Sequence, residues 1–327
     1  MISTVVPEYP ERDRERDRWI LERRPARNDV DPHRPHDSLL EKERSASGEV
    51  VTVATIFLTS VECAWRCLMC DLWRNTLTAP APAGSIGEQI DYALSRLPPA
   101  RHVKLYNSGS FFDPRAVPPA EYADIAARLR GFDRVIVECH PALVGDSCAR
   151  FRDALDTELE VAMGLETADE KLLARLNKRL TLAQYSTAAK RLQTSGIAIR
   201  TFILVKPPFC GEQEAVDVAA RSLDFAFAHA ASVAALIPTR SGNGALDALA
   251  ERGEFSPPSL ATVEAAAAYG IGLRRGRVFT DLWDLDRFST CPSCYPARSA
   301  RLNDMNLRQS VPAAIRCDSC GASGGET

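Results

Sequence analysis

Residues 50–71 read VVTVATIFLTSVECAWRCLMCD. The run Val51–Leu58 is apolar and β-branched, with no Gly or Pro, and predicts a buried strand. Directly after it come Cys63, Cys67 and Cys70, with three residues and then two between them. One short loop therefore offers three thiolates. An ordinary iron–sulfur cluster takes four cysteines. No fourth lies nearby, so a cubane held here would keep one iron open, and an open metal position is where a substrate or cofactor binds. Zinc is the alternative. It usually takes paired C-x2-C or mixed Cys/His sets, and this loop has no local histidine.

Working outward, apolar β-rich runs alternate with helical patterns. The expected strands are Val51–Leu58, His102–Tyr106, Arg134–Glu138, Leu159–Leu165, Ile197–Val205 and Val233–Ile237. The expected helices are Gly87–Arg96, Pro119–Leu129, Ser147–Leu155, Ala168–Leu176 with Leu182–Thr194, Glu212–Ala228 and Ser259–Tyr269. Strands alternating with helices imply parallel βα units in an α/β fold, here a partial or complete (β/α)6 barrel. A doubly wound open sheet is the other solution, but no Gly-rich dinucleotide turn follows the first strand. Several strands end in polar residues, as functional barrel loops do.

C-x3-C-x2-C after the first strand of such a chain resembles the signature of the radical SAM superfamily. The resemblance implies a TIM-like partial barrel in which Cys63, Cys67 and Cys70 ligate a [4Fe–4S] cluster. The fourth iron would take the amino and carboxylate groups of S-adenosylmethionine (SAM). Reductive cleavage would then give methionine and a 5′-deoxyadenosyl radical, the cofactor carrying the chemistry. The family usually places an aromatic residue before the third cysteine, against the adenine. Here Met69 stands there, and a thioether also packs on a ring.

Later strand ends extend the resemblance. Asn107, Ser108 and Gly109 close the second strand where the family has a small turn meeting the methionine amino group; a plain turn is the alternative. Glu166 in MGLET, followed by Asn177-Lys178, resembles a pattern of the Elp3-type and coproporphyrinogen-dehydrogenase-type branch. That implies a SAM ribose or methionine contact; a Glu at a helix N-terminus is the alternative. Lys206 could meet a carboxylate or phosphate, and Cys210 could give a hydrogen to a substrate radical. An exposed lysine and a loop thiol are the plainer readings. Ile237–Ser241 would line the adenine side. His33, His36, His102, His140 and His229 are scattered and receive no role.

Of the ten cysteines, seven fall in tight clusters, which favours metal over structural thiols. Cys291-x2-Cys294 and Cys317-x2-Cys320 form a second set, suited to tetrahedral Zn2+ or to an auxiliary iron–sulfur cluster. So short a tail has little core of its own and reads as a small metal-stapled appendage. Its Arg298, Arg301, Arg308 and Arg316 could touch RNA phosphates or simply be solvated.

The expected organisation is a charged N-terminal extension over 1–48, with a short helix around Trp19–Leu21, a core barrel over 49–276, and a C-terminal extension over 277–327. That last part opens with RVFTDLWDL, a candidate seventh strand. The 40 basic and 43 acidic residues give a net charge of −3, and so no global pull toward nucleic acid. No long uncharged apolar run suggests a membrane span, and the first residues lack the order of a secretory signal, so a cytoplasmic protein is expected.

The stretches CAWRCLMCDLW, KLYNSGSFFDP and LEVAMGLET…NK are similar to the iron–sulfur oxidoreductases that include the radical SAM subunit of archaeosine synthase. The similarity runs from about Val51 through the tail. It implies a modified tRNA nucleobase or related small molecule as substrate. It also implies an electron donor such as flavodoxin or ferredoxin, and a partner enzyme that prepares the substrate. A methylthiotransferase with a sulfur-donating tail cluster, and a non-enzymatic zinc or iron–sulfur protein that binds nucleic acid, are the competing readings.

Overall fold

Among the described residues, eight strands form one sheet in chain order. The computed structural model describes residues 8–321. Residues 1–7 of the expected extension and 322–327 of the tail lie outside the described residues. The elements begin with α1 (Asp13–Leu21), β1 (Asp37–Arg44), β2 (Val50–Phe57), α2 (Ser85–Leu94), β3 (His102–Tyr106) and α3 (Tyr122–Arg128). Next come β4 (Arg134–Cys139), α4 (Asp146–Ala154), β5 (Glu158–Glu166), α5 (Glu170–Arg175), α6 (Leu182–Thr194) and β6 (Ala198–Val205). The last are α7 (Ala215–Ala228), β7 (Val233–Pro238), α8 (Ala245–Glu251), α9 (Leu260–Gly272), β8 (Arg277–Thr280) and α10 (Tyr295–Arg308). From β2 to β8 every pairing is parallel. All six expected strands are present in the expected order, and the candidate seventh is β8.

Strict alternation along the strands decides their two faces. Val103, Leu105, Val135, Val137, Leu159, Val161, Met163, Ile199 and Ile203 pack with the helices in one continuous core. The residues between them face the lumen, and many are charged. Arg200 on β6 donates to both oxygens of Glu43 on β1, at 2.9 and 2.8 Å, and to Glu160 at 2.6 Å. Lys104 reaches Glu41 at 2.8 Å and also bonds Glu43. A contact between the first and sixth strands is possible only because the sheet curls into a half-barrel. Burial alone would raise the Glu43 carboxyl, but Arg200 and Lys104 outweigh it and hold it well below the usual carboxylate range.

The expected boundaries at 48/49 and 276/277 each sever a strand from this sheet. β1, DSLLEKER, pairs antiparallel with β2, Asp37 opposite Phe57 through Arg44 opposite Val50. Its charged face turns inward onto Lys104 and Arg200, so the usual apolar signature of a strand is missing. The other edge, β8, is covered by α10, which the sequence reading did not expect. Asn306 exchanges two hydrogen bonds with the backbone of Thr280, both 2.8 Å, and Gln309 does the same with Val278 at 2.7 and 2.8 Å. Two side-chain amides thus stand in for a neighbouring strand and blunt the edge. Arg277 Nη1 donates to Arg44 O at 2.9 Å, joining β8 to β1 across the seam. Leu302 and Met305 of α10 are fully buried in the main core, so the helix that carries the cysteine tail packs directly on the barrel. No helix among the described residues is long and apolar enough to cross a membrane.

Candidate active site

Parallel strands carry their C-terminal ends to one rim, and the loops there converge. The cysteine loop leaves β2 and is tied to its neighbours mainly through its backbone. Leu58 N donates to Tyr106 O at 2.6 Å, and Ser60 Oγ to Asn107 O at 3.1 Å. Asn177 Nδ2 donates to Arg66 O at 2.7 Å, Asn243 Nδ2 to Leu68 O at 2.8 Å, and Arg66 Nη1 to Cys63 O at 2.6 Å. Cys63, Cys67 and Cys70 are half-buried, and burial raises all three thiols, Cys67 to about 12. A cluster in which each sulfur takes its own iron does not require the three thiols to meet at one point.

The turn Asn107-Ser108-Gly109 lies against this loop. A Cβ on Gly109 would stand 3.3 Å from Cys63 Cβ, so glycine permits the approach. Ser108 has φ +58°. The turn is held from below by Glu138, a lumen residue that sequence reasoning missed. One Glu138 oxygen accepts from Asn107 N at 2.6 Å and from Gly109 N at 3.2 Å. Burial pushes the Glu138 carboxyl up to about 7, with the Gly109, Asn107 and Ser108 amides and Lys178 opposing. Asn107 Oδ1 is buried without a hydrogen-bond partner, an acceptor left for something else.

Glu166 and Lys178 are brought together at the end of β5. The register slips by one residue between Gly164 and Glu166, a bulge that re-aims the strand end, and Glu166 adopts φ +68°. Its Oε1 accepts from Lys178 Nζ at 2.8 Å. Burial would lower the Lys178 ammonium, but Glu166, Cys67 and Cys63 keep it above its ordinary value. The ammonium therefore sits within the field of two of the loop thiols.

Trp65 stacks on His140 at 3.7 Å and 9°. Burial, aided by Lys178, lowers this imidazole to about 3, so the ring is neutral. Its Nδ1 accepts from Ala142 N, which leaves Nε2–H to donate to Lys178 O at 3.1 Å. His140 is a wall of the loop, and nothing in its spacing marked it. Met69 packs between two small apolar clusters, with Leu68, Phe255 and Leu249 on one side and Leu176 and Leu204 on the other.

Lys206 and Cys210 are placed differently from the other candidates. Lys206 Nζ is occupied by Glu212 at 2.6 Å, Ser256 Oγ at 2.8 Å and Pro257 O at 3.2 Å. It pins the loop before α9 and is neither exposed nor open to a ligand. Cys210 packs with Ala215, Val218 and Leu172, its thiol on Gly211 O at 3.4 Å and raised by burial and Glu214 to about 11. It belongs to the packing beneath α7.

Cys291, Cys294, Cys317 and Cys320 place their sulfurs within 4.8 Å of one another, able to hold a metal ion. Arg298 and Arg301, two of the tail arginines, are paired with Glu264 at 2.5 and 3.4 Å. Arg301 also binds the carbonyls of Pro312 and Ala313. Both hold the tail in place.

No protein-family profile matches the chain. It is 26% identical to the archaeosine synthase subunit beta of Methanosarcina acetivorans over 65% of this chain and 65% of that one. It is 25% identical to the subunit of the same name from Thermococcus kodakarensis, over 67% and 72%. It is also 29% identical to an uncharacterized protein of Methanocaldococcus jannaschii, over 50% of this chain, and spans 48% of that relative's length. Among solved structures it is similar to methylornithine synthase (TM-score 0.49, 14% identity, 68% and 64% of the two chains). It is likewise similar to the Elp3 of Methanocaldococcus infernus (TM-score 0.49, 13% identity, 71% and 60%). Over about two thirds of its length, the chain is thus similar to proteins named archaeosine synthase subunit beta.

Proposed function

We propose that Cys63, Cys67 and Cys70 hold a [4Fe–4S] cluster and that the chain cleaves SAM reductively on it. The observation that carries this reading is the three-thiol loop with an acidic and a basic side chain beside it, Glu138 and Lys178. When bound and reduced by one electron from a donor, the cluster would pass that electron to SAM and so supply the reductive cleavage of the S–C5′ bond that starts hydrogen abstraction from substrate.

The chain's own residues provide the rest. An amino acid zwitterion needs one group of each sign and a close backbone. Lys178 offers a fixed ammonium to a carboxylate, with Glu166 keeping it charged. Glu138 and the partnerless Asn107 Oδ1 offer acceptors to an ammonium, and Gly109, lacking a side chain, lets their turn close on Cys63. Trp65 and His140 close the side of the loop against water. Such preorganised groups cost no rearrangement when the ligand arrives.

The relatives' name suggests the substrate class, a modified nucleobase in tRNA or a related small molecule. It also suggests a second subunit that prepares it, with flavodoxin or ferredoxin supplying the electron. The chain would then act in the cytoplasm as one component of a two-enzyme step.

The test is anaerobic reconstitution, then SAM and dithionite, with chromatographic detection of 5′-deoxyadenosine. Wild type should form it, and Cys63→Ala/Cys67→Ala/Cys70→Ala should not. Iron bound at the loop with no SAM cleavage, even with candidate substrates present, would sink the reading.

A further inference from the structure

The tail cysteines leave two metals open by spacing, a single ion or a second cluster. Their geometry separates the two. Cys291 Sγ lies 3.9 Å from Cys317 Sγ, and Cys294 Sγ 3.9 Å from Cys320 Sγ. A tetrahedral ion with metal–sulfur bonds of about 2.3 Å sets its sulfurs about 3.8 Å apart, the edge of that tetrahedron. In a cubane each cysteine takes a different iron at a different corner, and the sulfurs stand farther apart. The tail sulfurs are spaced for one ion.

The surroundings agree. Cys291 and Cys294 are buried, and Cys294 is the residue from which α10 starts. From there α10 runs to Asn306 and Gln309, whose amides cover the edge of β8, and the helix also packs on β1. The chain then turns back along α10, held by Arg301 on Pro312 O and Ala313 O, and returns Cys317 and Cys320 to the start of the helix. The four thiols thus close a loop whose two arms are the seam helix and its return segment. Closing such a loop restricts the unfolded chain and adds to the hold that Arg298 has on Glu264 at this end of the helix.

We propose that Cys291, Cys294, Cys317 and Cys320 bind one Zn2+ ion, with no auxiliary cluster, and that this ion fastens α10 over the seam between β8 and β1. The site is independent of the SAM chemistry. Zinc has no redox role to play here, and a tetrathiolate shell without an open position leaves none for a ligand.

The experiment uses the full chain carrying Cys63→Ala/Cys67→Ala/Cys70→Ala, so that any metal found belongs to the tail. Elemental analysis should give one zinc per chain, with no iron or acid-labile sulfide after anaerobic reconstitution. Co2+ exchanged into the same protein should show the ligand-field bands of a tetrahedral tetrathiolate. Retention of iron with sulfide by this variant would overturn the proposal in favour of a second cluster, as would absence of any bound metal. Stripping the zinc with a thiol-reactive mercurial should speed proteolysis within residues 309–316 at least tenfold, reversed by thiol and Zn2+. An unchanged rate would overturn the fastening role. Loss of SAM cleavage in the loop variant leaves both readouts untouched, so the two proposals fail separately.

Discussion

Lys178 Nζ stands 2.8 Å from Glu166 Oε1, and Gly164 supplies the room for both. A Cβ at Gly164 would fall 2.2 Å from that oxygen and 2.6 Å from that nitrogen. Both atoms end flexible side chains, so the backbone need not move, but each side chain is only 9% exposed and has no solvent to retreat into. Gly164→Ala should therefore keep the fold while separating the pair. The expected outcome is a stability loss of about 1–3 kcal/mol by denaturant titration and a SAM-cleavage rate reduced by more than tenfold. Lys178→Met, which leaves Glu166 buried without its cation, should cost more, about 3–5 kcal/mol. A Gly164→Ala protein with full activity would remove the pair from the site.

Glu138 makes stability and function oppose each other in pH. Its carboxyl has an ordinary value of 4.5 and is raised to about 7 by burial. The folded chain then keeps a proton that the unfolded chain has released. Stability from this group is complete below the ordinary value, falls as pH rises toward 7, and stays low above it. The full difference is on the order of 3 kcal/mol. Above neutrality the carboxylate is charged and can meet an ammonium, so the cost falls where the group becomes useful. Glu138→Gln keeps the oxygen that accepts from Asn107 and Gly109 but loses the charge. Without SAM, it should match wild type near pH 5 and exceed it at pH 8. With SAM, it should bind more weakly at pH 8. Parallel stability curves for the two proteins across that range would show that Glu138 does not titrate there.

The parts of this architecture that were legible in the sequence are those where apolar pattern and function coincide. Val51–Leu58 and the five later strands read correctly because their outward residues pack on helices and alternate cleanly. The cysteine loop and the Asn107-Ser108-Gly109 turn stood out in the sequence because both follow strand ends directly, and the fold sets them side by side. What escaped has a common cause: inside a curled sheet, the buried face is polar. Glu43 on β1 reads as a surface charge until Arg200, five strands away in the sheet, is seen to hold it. Glu138 reads as a strand terminus, and His140 as a stray histidine, because their partners come from the neighbouring turn and from Trp65. Helix α10 was hidden for another reason. Its start lies inside a cysteine knuckle, so the helical spacing of Arg301, Leu302 and Met305 is overlaid by the stronger cysteine pattern. Lys206 looked available because nothing in the chain near it announces Glu212, Ser256 and Pro257 as a closed set of partners.

The N-terminal extension is the last feature whose role follows from contacts, and it concerns the cysteine loop. Glu62, the residue before Cys63, accepts from Arg24 Nη1 at 2.7 Å, from Arg66 Nη1 at 3.1 Å and from Arg27. Two of these arginines come from the segment after α1 and the third from within the loop. Trp19 and Ile20 of α1 pack with Leu68, and Arg16 Nη1 reaches Ala174 O at 2.6 Å. The extension is thus a strap over the outside of the loop, with Glu62 as its buckle. Burial would raise the Glu62 carboxyl, but hydrogen bonds from Arg24 and Arg27 outweigh it and hold it below its usual range. The strap's ionic hold is therefore complete above the unfolded carboxyl value and is lost as pH falls through the lowered folded one. Glu62→Gln leaves three guanidiniums around a neutral acceptor, while Glu62→Asp keeps the charge at shorter reach. Glu62→Gln should bind less iron on anaerobic reconstitution and bleach several-fold faster in air, with Glu62→Asp partly restoring both. The fold should survive in each, because the main core lies on the far side of the sheet. Equal iron content and equal bleaching rates in wild type and Glu62→Gln would mean that the loop holds its shape through Asn177 and Asn243 alone, and that the extension merely covers it.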